Sequence, residues 1–150
     1  MRPFVFLAWA ALLPCAAIAQ TPLANVDAYR AMPIAPGAWT LRLSAGSSEA
    51  SYGVQGSAAR LTLRCDLVAR RVRISRPDRP SGAITIITSS LTRTLAAPGE
   101  VTVYDPLLDA IAFSRGRFVV TTPASTAAVS DALAIPAWPE AARIVEDCRK

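Results

Sequence analysis

Short segments in which apolar and polar residues alternate recur along the chain. Gly, Ser, Pro and Asp residues separate them, as expected for turns. Side chains alternate between the two faces of a β-strand, so each segment can place one face on a core. The segments are residues 38–44, 49–54, 59–67, 70–75, 83–90, 100–104 and 117–122. This series predicts a mainly β (α+β) domain over residues 38–150, an antiparallel β-sandwich or a partly closed barrel.

Two segments have helical character instead. Asp105 is a good N-cap with Pro106 at the first helical position, and Gly116 follows as a stop signal. A second short helix is predicted from Pro139 to the end of the chain, because Pro139 and the acidic Glu140 suit a helix start and basic residues end it. We expect this C-terminal helix to pack on the sheet with Ala142, Val145 and Cys148 directed inward.

The first nineteen residues have the pattern of a secretory signal peptide. One basic residue precedes an apolar run, and the small-x-small pattern at residues 17–19 favours cleavage before Gln20. The alternative is a lipoprotein signal in which Cys15 is lipid-modified. We therefore expect a periplasmic or secreted protein with no transmembrane segment after cleavage. The three prolines in residues 20–37 predict an extended N-terminal arm before the single domain.

Cleavage would leave Cys65 and Cys148 as the cysteines of the mature chain. Two cysteines in an exported protein are most simply explained by one disulfide, which would close a loop of 148 − 65 = 83 residues. Alternation over residues 61–65 places Cys65 on the core side of its strand. The alternatives are two free thiols or a bridge between chains.

The residue types present restrict the possible chemistry. The chain contains no histidine, which excludes Ser-His-Asp and Cys-His nucleophiles. Two thiols are half of a tetrahedral zinc site, and phosphate-loop and dinucleotide fingerprints are absent from the sequence. We therefore predict no catalytic residues, no metal and no cofactor, and a non-enzymatic binding or interaction module. The alternative is a hydrolase using converging carboxylates from Asp66, Asp78, Glu100, Asp105 and Asp109.

Arginines are concentrated in one stretch of the chain, at positions 60, 64, 70, 71, 73, 76 and 79. If residues 59–67 and 70–75 form a hairpin, four of these side chains share its outer face: Arg60, Arg64, Arg71 and Arg73. Such a face would bind anionic envelope glycans or lipid head groups. The alternative is a solvated face that discourages edge pairing. Specific nucleic-acid binding is not predicted, because no aromatic residues lie among these arginines.

A second candidate for anion binding lies in residues 113–118. Arg115 and Arg117 flank Gly116 between the predicted helix and the next strand, where two guanidinium groups could hold a carboxylate or phosphate. The structural alternative is that Arg115 caps the helix while Gly116 adopts the left-handed conformation.

The arrangement of these features resembles small uncharacterised exported bacterial proteins. The resemblance rests on Trp39, the A-S-Y-G and L-T-L-R-C segments, S-R-G-R-F, and the terminal P-x-W-x-E-x-x-R-x-x-E-D-C-R helix. The two-cysteine layout is similar to that of invasion-associated locus B-like proteins and type VI secretion-associated envelope proteins. What the resemblance implies is a periplasmic β-rich domain with a Cys65–Cys148 bridge, with the protein or envelope partner unspecified.

Overall fold

The computed structural model describes residues 26–80, 82–122 and 131–150. The expected signal peptide, residues 1–19, and Cys15 lie outside them. The helices are α1 (Val26–Ala31), α2 (Pro106–Ala112) and α3 (Pro139–Arg149). The strands are β1 (Ala38–Ser44), β2 (Ser47–Gly53), β3 (Leu61–Asp66), β4 (Arg71–Ser75), β5 (Ile84–Ile87), β6 (Thr92–Leu95), β7 (Glu100–Thr102), β8 (Arg117–Thr121) and β9 (Leu133–Pro136).

The strands form two antiparallel sheets, so the chain is mainly β as predicted. The first sheet has the order β1-β2-β3-β4-β7 and the second the order β6-β5-β8-β9. Apolar residues from both sheets and from α2 and α3 form one buried cluster. The indole of Trp39 on β1 also donates a hydrogen bond to the carbonyl of Pro136 on β9, at 2.9 Å. The result is a sandwich with helices, and the described strands do not close into a barrel.

Helix α3 packs on the first sheet, mainly on β2 and β3. Its buried residues are Ala141, Ile144, Val145 and Cys148. The prediction that Ala142 faces inward is wrong. Ala142 lies three residues before Val145, which is a helical spacing, but Ala141 occupies the centre of the buried face and Ala142 lies at its margin.

The end of α3 is also held by polar contacts to α2 and to the segment before it. Arg149 donates to both carboxylate oxygens of Asp109, at 2.8 and 3.1 Å, and to the carbonyl of Val103 at 2.8 Å. Hydrogen bonding to Asp109 raises the pKa of Arg149 above its ordinary value. At the start of α2, Asp105 caps Leu107 as predicted.

The sulfur atoms of Cys65 and Cys148 lie at disulfide-bonding distance, with their Cα atoms 5.7 Å apart. Both residues are buried, Cys65 on the core side of β3 and Cys148 on the inner side of α3. The predicted pairing is therefore confirmed, and it joins the last helix to the middle strand of the first sheet. In the part of the chain that the structure describes, no helix has the length and apolar character needed to span a membrane.

The segment before β1 is not an extended arm throughout. Residues 20–25 lie outside the described ranges, but Val26–Ala31 form helix α1, so the prediction is wrong there. Tyr29 and Met32 pack against Ile87, Val119 and neighbouring residues on the outer face of the second sheet. Apolar packing of this kind favours a helical turn despite the nearby prolines.

Beyond α1, the same segment crosses to the first sheet. The amide of Ala35 donates to the carbonyl of Ala134 on β9 at 2.8 Å. The carbonyl of Ala35 in turn accepts a hydrogen bond from the hydroxyl of Tyr52, on β2, at 2.5 Å. Residues 26–37 therefore connect both sheets.

Ionisation of Tyr52 is expected to lower the stability of the fold at alkaline pH. The side chain is buried, and burial raises the pKa of its phenol above the ordinary value, with Arg60 offsetting part of the shift. Above about pH 10 the unfolded phenol loses its proton while the folded phenol keeps it, so the free energy of unfolding falls as pH rises. We expect Tyr52→Phe to have a shallower decline in urea unfolding between about pH 9.5 and 11. Tyr104→Phe, at an exposed site, should keep the decline of the unsubstituted protein; equal slopes for all three proteins would contradict the assignment.

Candidate anion-binding site

The outer face of the first sheet carries a row of charged side chains that crosses all five strands. Antiparallel pairing places one residue from each strand directly opposite the next. In strand order, the row consists of Arg42, Glu49, Arg64, Arg73 and Glu100. It brings together two of the predicted arginines, Arg64 and Arg73, on adjacent strands, and adds a third arginine from the edge strand β1.

A row of hydroxyl groups runs beside the charged row, two residues further along each strand. Its members are Thr40, Ser51, Thr62 and Ser75. Because side chains two residues apart share a face, both rows project from the same side of the sheet. The rows are separated by about 6–7 Å along the strand, which is within the reach of one small ligand group.

Apart from Glu100, the members of these two rows form the floor of an open trough. Its volume is about 920 Å³. One wall is the connection between β2 and β3, where Val54, Gln55, Gly56, Ser57 and Ala59 line the space; Pro77 lines another part of the rim. The sheet face thus becomes a concave surface on which the charged side chains are accessible, as are Thr40, Ser51 and Ser75, while Thr62 is buried.

The arginines of the trough differ in how their charge is used. Arg73 donates from Nε and Nη2 to one carboxylate oxygen of Glu100, at 3.1 and 2.5 Å, and remains half exposed. Glu49 accepts a hydrogen bond from the hydroxyl of Ser51 at 3.1 Å. Among the residues described, no carboxylate lies within ion-pair distance of Arg42 or Arg64. Arg42 and Arg64 share Glu49 as their acidic cross-strand neighbour, so the three arginines and two glutamates leave the row with one net positive charge.

The other predicted members of the arginine face lie outside the trough. Arg71 projects from the same side of β4 but stands opposite Asp66, beyond the residues that line the space. Arg60 precedes β3, and its amide donates to the carbonyl of Tyr52 at 2.8 Å. Of the four arginines predicted to share this face, only Arg64 and Arg73 are aligned with Arg42 by the strand pairing, and these two line the trough.

Arg76, another member of the arginine stretch, is not on a surface at all. It is 3% exposed, and its guanidinium donates to both carboxylate oxygens of Asp78, at 3.2 and 2.8 Å, and to the carbonyl of Asp131 at 2.8 Å. Arg79 pairs with the Asp131 carboxylate at 2.5 Å. These contacts join the loop after β4 to the residues that lead into β9, so the charges of Arg76 and Arg79 are used within the fold.

Arg115 and Arg117 line a separate cavity of about 430 Å³ beside β5 and β8. Arg117 donates a hydrogen bond to the carbonyl of Met32 and so holds the segment after α1. Gly116 adopts a left-handed conformation, with φ of 74°, as the structural alternative predicted. Arg115 is exposed, and its amide donates to the hydroxyl of Ser89 at 3.2 Å. The guanidinium of Arg117 therefore already has a hydrogen-bond acceptor, whereas Arg115 is exposed.

The five carboxylates considered for hydrolysis are each engaged in local contacts. Asp78 and Glu100 bind Arg76 and Arg73, Asp109 binds Arg149, and Asp105 binds Arg93 and caps α2. Asp66 accepts hydrogen bonds from the amides of Val68 and Ala69 in the turn after β3. Within residues 26–80, 82–122 and 131–150, no group of three or more acidic or cysteine side chains is arranged to hold a metal ion.

Sequence reasoning missed Arg42, Glu49 and the hydroxyl row. Their alternation along β1 and β2 was visible, but the register that aligns them with Arg64 is set by pairing between strands. No family model, curated protein or solved structure matches this chain. The geometry of the trough is therefore the basis for inferring a function.

Proposed function

We propose that this is an exported, non-enzymatic binding module of the bacterial envelope that holds an anionic ligand in the trough on its first sheet. The predicted ligands are anionic envelope glycans or lipid head groups. Arg42, Arg64 and Arg73 provide charge-assisted hydrogen bonds, which are the strongest kind available to an anion. The open sheet face suits a ligand that is bound and released without chemical change.

The observation that carries the proposal is the direct pairing of Arg64 with Arg73. Like charges opposite each other on antiparallel strands destabilise a sheet by about 0.2–1 kcal/mol. Glu100 forms an ion pair with Arg73, whereas Arg64 has Glu49 as its other cross-strand neighbour and forms no ion pair among the described residues. A bound anion between the two guanidinium groups would relieve the repulsion, so the pair is better explained by binding than by folding.

The disulfide supports the exported part of the proposal. Bonds of this kind form and persist in oxidising compartments such as the periplasm, and are rare in the cytosol. A buried bridge between β3 and α3 has a structural position, and its sulfurs are inaccessible to a second protein. The disulfide therefore agrees with an envelope location and leaves the trough as the candidate for recognition.

Arg64→Gln tests the proposal because it is expected to weaken binding without loss of stability. We expect the free energy of unfolding to change by less than about 1 kcal/mol, since the substitution removes both the repulsion with Arg73 and the attraction to Glu49. We expect affinity for a fluorescent heparin oligosaccharide at low ionic strength to fall about tenfold, the loss of one charge-assisted contact. Binding is measured by fluorescence anisotropy and stability by urea unfolding.

Arg143→Gln is the matched control, since it removes the same charge from an exposed position on α3, away from the trough. We expect its affinity to stay within about twofold of the unsubstituted protein, because Arg143 lies on the helix that packs against the other side of the sheet and cannot contact a ligand in the trough. Equal losses of affinity in the two variants would show that binding depends on net charge alone, which would contradict a specific site. Absence of binding to heparin and to every other acidic glycan tested at low ionic strength would remove the proposed function altogether.

A further inference from the structure

We infer that the ligand of the trough is an acidic glycan that carries its anionic groups on alternate sugars and lies across the strands of the first sheet. This inference rests on the proposed function and adds the chemical class of the ligand. It follows from the order of charges in one row of the trough and from the hydroxyl groups beside it.

The charged row alternates in sign at one end. Glu49 lies between Arg42 and Arg64, which are two strands apart. Neighbouring strands are about 4.7–4.9 Å apart, so the two arginine backbones are separated by about 9–10 Å with a carboxylate between them. An anionic group of the ligand fits at Arg42 and another at Arg64 and Arg73, and an uncharged group fits over Glu49.

Glu49 also discriminates against ligands with a charge on every unit. An anionic group placed beside its carboxylate would meet like-charge repulsion in a partly enclosed site. The side chain is partly buried and accepts a hydrogen bond from Ser51, which fixes its position. Glu49 can accept hydrogen bonds from the hydroxyl groups of a neutral sugar, so it favours a ligand that presents hydroxyls at this point.

The hydroxyl row supplies the second part of the recognition. Hydroxyl groups both donate and accept hydrogen bonds, which matches the hydroxyls of a sugar. Thr40, Ser51, Thr62 and Ser75 repeat once per strand in the same direction as the charged row. A ligand crossing the strands would therefore meet the hydroxyls of Thr40, Ser51 and Ser75, while Thr62 is buried.

A glycan is favoured over a peptide by the backbone of the floor. Peptides that bind sheets usually add a strand at an edge, where backbone groups are free. In the middle of this sheet, β2, β3 and β4 each pair with neighbours on both sides. Recognition at the floor must use side chains, and here these are hydroxyls, arginines and a glutamate.

Four probes of matched length test the inference by calorimetry at low ionic strength. They are a hyaluronan hexasaccharide, with a carboxylate on alternate sugars; a hexagalacturonide, with one on every sugar; uncharged chitohexaose; and an alternating Asp-Gly peptide. We expect hyaluronan hexasaccharide to bind at least about tenfold more tightly than each of the others. Tighter binding of the peptide or of the hexagalacturonide would overturn the inference.

Two variants locate the recognition. Glu49→Gln should reduce the preference for hyaluronan over hexagalacturonide, because the repulsion is removed and the shape is retained. Thr40→Val should weaken hyaluronan binding by about threefold to tenfold, the loss of one hydrogen bond, while its thermal unfolding confirms a folded protein. An unchanged preference in Glu49→Gln would contradict the role of the charge order.

The outcomes separate this inference from the proposed function. Equal binding of both acidic glycans, with loss of both in Arg64→Gln, would overturn the ligand class and leave an anion-binding trough. Failure of all four probes and of heparin would overturn both.

Discussion

Replacing both Cys65 and Cys148 by alanine is expected to lower the free energy of unfolding by about 4–5 kcal/mol. The bridge closes a loop of 83 residues, and its removal restores conformational freedom to the unfolded chain. Alanine at both positions leaves no buried thiol to form other bonds. Urea unfolding under non-reducing conditions measures the difference.

Reduction of the unsubstituted protein provides an independent comparison. Under a strong reductant its unfolding midpoint should fall to that of the double alanine variant, and the variant itself should be insensitive to the reductant. Alkylation should add two groups to the unsubstituted protein only after reduction, because both sulfurs are bonded and buried. Unfolding that is the same with and without reductant would contradict a stabilising bridge.

The size of this effect bears on where the protein can work. Domains of this size are stable by about 5–15 kcal/mol, so the loss would remove a large fraction of the total. Helix α3 would retain its apolar contacts and the ion pair between Arg149 and Asp109. We expect the reduced protein to have a marginally stable fold, and an oxidising compartment to be needed for full stability.

Alternation identified most clearly the strands with one buried and one exposed face, although β8 was also predicted with three successive buried residues. In β3, Leu61, Leu63 and Cys65 are buried while Arg64 is exposed, so the alternation is strong apart from Thr62, which is also buried. In β9 all four residues are buried, because the core covers one face and Tyr29 and Met32 lie near the other. A strand covered on both faces loses its period of two, and β9 was missed for that reason.

Strand β6 was missed for the opposite reason. Leu95 is its buried residue, and the remaining positions from Thr92 onward are exposed. The strand lies at the edge of the second sheet and pairs with β5 alone. Edge strands need few apolar residues, so their sequences resemble loops.

The trough could be predicted only in part, because some of its residues lie in one hairpin and others are aligned by pairing with strands outside that hairpin. The hairpin of β3 and β4 is local, and its alternation placed Arg64 and Arg73 on one face. Arg42 enters the same row through two further strand pairings, which the sequence pattern does not determine. The burial of Arg76 was also hidden, because its main partners are a loop carboxylate two residues away and the carbonyl of Asp131.

Asp78→Ala is expected to destabilise the protein by about 3–5 kcal/mol, although Asp78 is itself partly exposed. The substitution leaves the buried guanidinium of Arg76 with the carbonyl of Asp131 as its remaining acceptor among the described residues. A buried charge without its partner costs far more than the ion pair contributes when intact. Urea unfolding of the single variant measures this cost.

The double variant Arg76→Met/Asp78→Ala separates a buried charge from a simple loss of contacts. Methionine removes the charge and keeps much of the apolar stem, so the double variant should be more stable than Asp78→Ala alone. Arg79→Gln is the matched control: its ion pair with Asp131 joins a half-exposed arginine to the same loop, and its loss should cost less than about 1 kcal/mol. If Asp78→Ala cost no more than Arg79→Gln, or if the double variant were the least stable, the buried Arg76 would not depend on its carboxylate.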